Sequence, residues 1–106
     1  MFVTSEGSAV ARFQRAIKAR DLSNAELTAY ELHSPMALGF ALDLLVLYAE
    51  TGSDKFEKAA VRWLGKLLTE KPMPLAIAAQ AVELVAALRG PGKEGAAAAL
   101  ASLARP

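Results

Sequence analysis

Ser34-Pro35-Met36-Ala37-Leu38-Gly39-Phe40-Ala41-Leu42-Asp43-Leu44-Leu45-Val46-Leu47-Tyr48-Ala49-Glu50 is the stretch on which the fold turns. Serine followed by proline starts a helix: the hydroxyl accepts a free backbone N–H, and proline at the first helical position lacks an N–H that would have had no partner there. Gly52 supplies the residue that stops it. Met36, Leu38, Phe40, Leu42, Leu44, Leu45, Val46, Leu47 and Tyr48 spread around most of the helical circumference, so neighbours must cover it on several sides. Residues 35–49 are fifteen long and hold one charge, Asp43, where a bilayer needs about 20 apolar residues. The segment reads as a buried core helix at the centre of the fold.

Start and stop signals on either side divide the rest of the chain into further helices. Upstream, Val10, Phe13 and Ile17 form an apolar stripe on a helix over residues 8–19. A second, short helix follows to about residue 32, with Ser23 and Glu26 as capping box and Leu22 and Leu27 as hydrophobic staple. Downstream, Asp54 with Glu57 caps a fourth helix on which Phe56, Ala60, Trp63 and Leu67 recur at i, i+4, i+7 and i+11. Lys71-Pro72-Met73-Pro74 ends it. A fifth helix over residues 74–88 has two apolar faces, Leu75, Val82 and Val85 on one and Ile77, Ala81, Leu84 and Leu88 on the other, which predicts that it is sandwiched. Arg89-Gly90-Pro91-Gly92 breaks the chain before an alanine-rich last helix with Leu100 and Leu103.

The composition agrees. Of 106 residues, 23 are Ala and 16 Leu against 6 Val and 2 Ile, an excess of helix formers over β-branched aliphatics. The expectation is an all-α chain, residues 1–106 forming a single helical domain of five or six helices packed as stacked antiparallel hairpins around the central helix. Pro35-Met36-x-Leu38 recurs 37 residues on as Pro72-Met73-x-Leu75, and Ala41, Leu47 and Ala49 meet Ala78, Leu84 and Ala86 at the same offset. That period lies in the range of helical-hairpin repeats, about 34 to 47 residues, although chains this rich in Ala and Leu give several such matches by chance.

Twelve Lys plus Arg balance eleven Asp plus Glu for a formal charge of +1, so there is no global attraction to nucleic acid or anionic lipid. The sign is uneven: residues 1–53 carry 4 basic and 6 acidic side chains, and residues 54–106 carry 8 and 5. The absence of cysteine excludes thiol catalysis, zinc fingers and iron–sulfur ligation and fits a reducing compartment. Residues 1–7 have no basic head followed by an apolar run, so no secretory signal is expected and the cytoplasm is the default location.

The pattern from Arg20-Asp21-Leu22 through Ala41-Leu42-Asp43-Leu44 to Ala59-Ala60-Val61-Arg62-Trp63-Leu64 resembles a group of short, alanine- and leucine-rich helical proteins of high-GC Gram-positive bacteria. The resemblance spans residues 16–90, and its most specific element is Ala59-Ala60-x-Arg62-Trp63 preceded by Phe56-Glu57. It implies an all-helical, bacterial, cytoplasmic protein and carries no catalytic residues with it.

Groups able to do chemistry are sparse. His33 is the one side chain with an ordinary pKa near neutrality, and its place at a helix junction suits a bond to a terminal carbonyl or to water. No His, Asp or Glu pair has metal-ligand spacing. Gly90-x-Gly92-x-x-Gly95 fits dinucleotide spacing but lacks the preceding strand. No metal and no cofactor is expected, nor enzymatic activity. Asp43, costly to bury alone, calls for a structural partner such as Arg62 or Arg89. Trp63, in line with Phe56 and Leu67, reads as a core anchor.

Two surfaces stand out. Lys55, Lys58, Arg62 and Lys66 fall on one face of the fourth helix, opposite its apolar line, and suit a phosphate backbone or an acidic protein partner. The simpler reading is a solvated face, since no aromatic is interleaved for base stacking. Lys18 to Leu27 looks like the opening of a helix-turn-helix, but the next helix would present Met36, Ala37, Leu38, Gly39, Phe40 and Ala41 to a major groove, with almost no hydrogen bonds to offer. The second surface is apolar: Phe2, Val3, Phe13, Leu100 and Leu103 on the outer side of the first and last helices, the expected interface of a homodimer or protein partner. The expected function is non-catalytic protein binding, with nucleic-acid association the alternative and no membrane partner.

Overall fold

The computed structural model describes residues 5–31 and 37–105, and the described residues form α1 (Ser5–Lys18), α2 (Leu22–Glu31), α3 (Leu38–Glu50), α4 (Phe56–Glu70), α5 (Leu75–Ala87) and α6 (Lys93–Ala104), with no strand. The protein is all-α, as its composition dictates. Contacts gather into two compact units, Met1–Ala37 and Leu38–Pro106.

The first unit is the α1–α2 hairpin. Ala9, Phe13 and Ala16 on α1 are buried, as are Ala25 and Thr28 on α2. Mostly small side chains along this line let the two backbones approach closely. Thr28 is polar and buried, yet its hydroxyl donates to the carbonyls of Asn24 (2.8 Å) and Ala25 (3.2 Å), so nothing polar is stranded. Across the hairpin the Arg12 guanidinium grips both carboxylate oxygens of Glu31.

α1 ends by a route that the sequence hides. Arg20 takes a left-handed backbone, φ 57°, a conformation usually left to glycine. The Asp21 N–H then reaches back to the Ala16 carbonyl (2.9 Å) and the Arg20 N–H to Ile17 (3.1 Å), the paired bonds of a Schellman ending. This sharp turn brings Asp21 to the cap position of α2, where its carboxylate accepts the Asn24 N–H at 3.2 Å. Ser23, the expected cap, lies one residue inside the helix, and Leu27 of the expected staple is exposed.

The second unit holds α3 to α6. Helix α3 buries Leu38, Leu42, Leu45, Leu47 and Tyr48 and packs against both α4 and α6. The other pairings are α4 with α5 and α5 with α6, so the four helices close a ring of two hairpins. Ion pairs at one end show the antiparallel sense: Glu57 at the start of α4 meets Arg89 just beyond α5 (3.2 Å), and Glu50 at the end of α3 meets Lys93 at the start of α6 (3.9 Å). The opposite end is tied by the Lys71 ammonium donating to the Arg105 carbonyl. Within the ring, Phe56, Ala60, Trp63 and Leu67 are buried, the line read from the sequence, together with Ala81, Val85, Leu88, Ala96, Leu100 and Ala104.

The 37-residue period marks helix starts. Leu38 and Leu75 open α3 and α5, each 13 residues long, and Phe56 and Lys93 open α4 and α6. The offset thus relates two successive helical hairpins, α3–α4 and α5–α6, that pack against each other.

Several local expectations are corrected. Ser34 and Pro35 lie outside the described residues, as does His33; Ala37 is not helical, and α3 begins at Leu38. Asp54 caps nothing: the Ser53 hydroxyl accepts the Lys55 N–H at 3.1 Å instead. α3 does stop at Gly52, whose φ of 65° allows the Ser53 N–H to return to Tyr48 (3.0 Å). Asp43 has no partner among the described residues: neither Arg62 nor Arg89 pairs with it, and Arg89 is engaged with Glu57 and stacked 4.5 Å from the centre of the Phe56 ring. α5 lies between α4 and α6, but Leu75 and Val82 of one expected face are exposed.

Candidate interaction surface

The basic line lies where its spacing puts it. Lys55, Lys58 and Arg62 are exposed on the side of α4 away from Phe56 and Trp63, and Lys66 is half-buried, with Glu70 3.8 Å away. That pair reduces the positive charge at the far end of the line, leaving Lys58 and Arg62 as its exposed middle.

Two residues of the expected apolar interface, Phe13 and Leu100, are buried in the core. Phe2 and Val3 lie outside the described residues. Phe13 is 1% exposed and Leu100 0%, both spent on the core, and Leu103 is half-buried. The periodicity located these side chains on apolar lines correctly. Phe13 and Leu100 lie on the packing lines of their own helices and are not surplus apolar surface.

Among the described residues, large apolar side chains are exposed on α2, Leu27 and Tyr30, and along α4 and α5. Val61 (69% exposed) and Leu68 (39%) lie on α4, and Leu75 (86%) and Val82 (50%) on α5. On α4 the line Glu57, Val61, Leu64, Leu68 follows the core line Phe56, Ala60, Trp63, Leu67 by one residue, about 100° around the helix. Because Arg89 reaches Glu57 from the end of α5, this is the α5 side of α4. On α5, Val82 and Arg89 likewise follow the core residues Ala81 and Leu88 by one, so Leu75 and Val82 lie on the α4 side. The four residues therefore share one outward face along the α4–α5 pair, with exposed Ala79 and Ala86 continuing it. The signal was present in the sequence as the second apolar face of the fifth helix; the missing information was that nothing among the described residues covers it.

This face has charged margins. Arg62 follows Val61 by one more residue, on the side of α4 away from α5, with Lys58 beside it. Glu83 follows Val82 on the side of α5 away from α4. All three are exposed, and none has an ion-pair partner among the described residues.

Two open clefts complete the surface. One, of about 340 Å³, lies between α1 and α2 and is lined by Arg12, Arg15, Asp21 and Asn24; the other, of about 410 Å³, lies between Glu50, Arg89 and Lys93. Arg12 is held by Glu31, Asp21 bonds Asn24, Glu50 meets Lys93 and Arg89 meets Glu57, so most of the charged groups that line them are already engaged. Among the described residues no group of His, Asp and Glu is arranged to hold a metal ion, and no helix is long and apolar enough to cross a membrane. No protein-family model, curated protein or solved structure matches the chain.

Proposed function

We propose that the protein is a non-catalytic protein-interaction module that docks through the α4–α5 face. The observation that carries this reading is the apolar line Val61, Leu68, Leu75 and Val82, open on two adjacent helices and bordered by charge. Contiguous apolar surface of this kind marks interaction sites in folded proteins. The ion pairs that already hold Arg12, Glu50, Arg89 and Lys93 in the two clefts support a binding rather than a catalytic role. The absence of cysteine supports a reducing compartment, and the resemblance to alanine- and leucine-rich proteins of Gram-positive bacteria supports a bacterial cytoplasm.

The test is affinity capture from host lysate with nuclease present, comparing the parent with Leu75→Glu. A defined protein held by the parent and lost by a folded Leu75→Glu variant supports the reading; equal retention by both overturns it.

A second reading is favoured by the exposed alignment of Lys55, Lys58 and Arg62. If these three meet phosphates of duplex DNA, the logarithm of affinity falls against log salt with a slope of about −2.7. Lys58→Glu combined with Arg62→Glu then loses DNA retention while keeping the fold; retention without that loss removes the reading.

A further inference from the structure

We infer that the α4–α5 face binds a second copy of this chain, in a two-fold dimer whose axis runs parallel to α4 and α5. The inference rests on the reading of this face as a docking surface and names its occupant.

The argument is one of charge and register. One margin of the face is basic, Lys58 and Arg62, and the other carries Glu83, so the face is complementary to itself once turned over. The Glu57–Arg89 ion pair fixes the heights of the two antiparallel helices. Arg62 lies five residues beyond Glu57 and Glu83 six residues before Arg89, distances of about 7.5 and 9 Å along the helices. The two groups are therefore nearly level on opposite margins. Rotation by 180° about an axis between α4 and α5, lying in the face, lays α4 of one copy over α5 of the other at unchanged height. Arg62 then meets the partner's Glu83, and the same contact recurs on the other side, as a two-fold interface requires. Between them Val61 and Leu68 interleave with the partner's Val82 and Leu75.

The 37-residue offset between helix starts supplies a second observation. Subtracting 37 from Leu75, Ala79 and Val82 gives Leu38, Leu42 and Leu45 on α3, where the same stripe is buried at 4%, 3% and 1% exposure. The stripe is a packing surface on α3 and open at the corresponding positions of α5.

Size sets the strength. Two helices of 13 and 15 residues side by side offer a face about 20 Å long and about 20 Å wide, at the low end for specific association. The dimer is accordingly weak, forming in the micromolar range.

Sedimentation equilibrium from about 5 μM to 1 mM tests this, with circular dichroism to confirm helicity of each variant. The expected result is a reversible dimer, abolished by Val82→Glu. Arg62→Glu and Glu83→Arg should each weaken it about tenfold or more, and the two together should return it to within about threefold of the parent. A monomer across the whole range, or charge reversals whose effects simply add, overturns the inference. Those outcomes leave the docking reading to its own test: a foreign protein lost with Leu75→Glu while the chain stays monomeric keeps the proposed function and discards the dimer.

Discussion

Trp63 of α4 donates its indole N–H to the carbonyl oxygen of Leu38, the first residue of α3, across 3.0 Å. Both residues are 4% exposed, so one side chain fills a large core volume and also finds a partner for its polar edge. Trp63→Ala should cost about 3 to 5 kcal/mol, as emptying an aromatic site does. Trp63→Phe keeps part of the volume and abandons the hydrogen bond, for a smaller loss that includes about 1 kcal/mol for the bond. Urea denaturation of the three proteins checks the order; an alanine variant as stable as the parent would contradict the placement.

Two helices end with the same bonding pattern but different residues at the left-handed position, Arg20 and Gly52. Gly52→Ala should destabilise by about 1 kcal/mol, and because no other atom lies within 4 Å of the added Cβ, the cost is conformational rather than steric. Arg20→Gly should act with the opposite sign, relieving strain of about 1 kcal/mol, less whatever the arginine's own interaction contributes. Equilibrium unfolding of both variants reads the two signs directly.

Asp43 lies on α3 without a charged neighbour to hold it ionised, and partial burial raises its pKa above the ordinary carboxylate value. A carboxyl whose folded pKa is raised favours the fold when protonated, so its contribution declines as pH rises through the titration range. Asp43→Asn should therefore leave stability unchanged or slightly higher at pH 7, with the difference from the parent vanishing at about pH 3, below the ordinary aspartate pKa. Thermal melts of both proteins from pH 3 to 7 measure it. A variant clearly less stable than the parent at pH 7 would point to an ionic partner for Asp43.

The elements were largely legible because the signals that make them are local. Trp63 could be assigned to the core because Phe56, Ala60 and Leu67 share its line at helical spacing, and α3 because leucines surround it. What failed was the choice among apolar lines. Phe13 and Leu75 each sit on a good stripe, and only the neighbouring helices decide that Phe13 is covered and Leu75 is not. Caps failed for a related reason: Ser23 and Asp54 are proper capping residues, but the left-handed turn at Arg20 puts the Asp21 carboxylate on the Asn24 N–H, and α4 starts after Lys55 with no side-chain cap. A left-handed arginine leaves no mark in a sequence, since the residue expected there is glycine.

The five-residue connections from α3 to α4 and from α5 to α6 also govern how the second unit comes together in time. Each hairpin closes a short loop, so most of its contacts lie near in sequence and the chain loses little entropy before gaining them, which places folding in the microsecond-to-millisecond range. Either hairpin is able to form first. Neither has a covered core alone, however: the line of Phe56, Trp63 and Leu67 and that of Ala81, Val85 and Leu88 are shielded only once the ring closes. Assembly therefore has two starting points, whereas melting has one transition, in which the loss of either hairpin exposes the other.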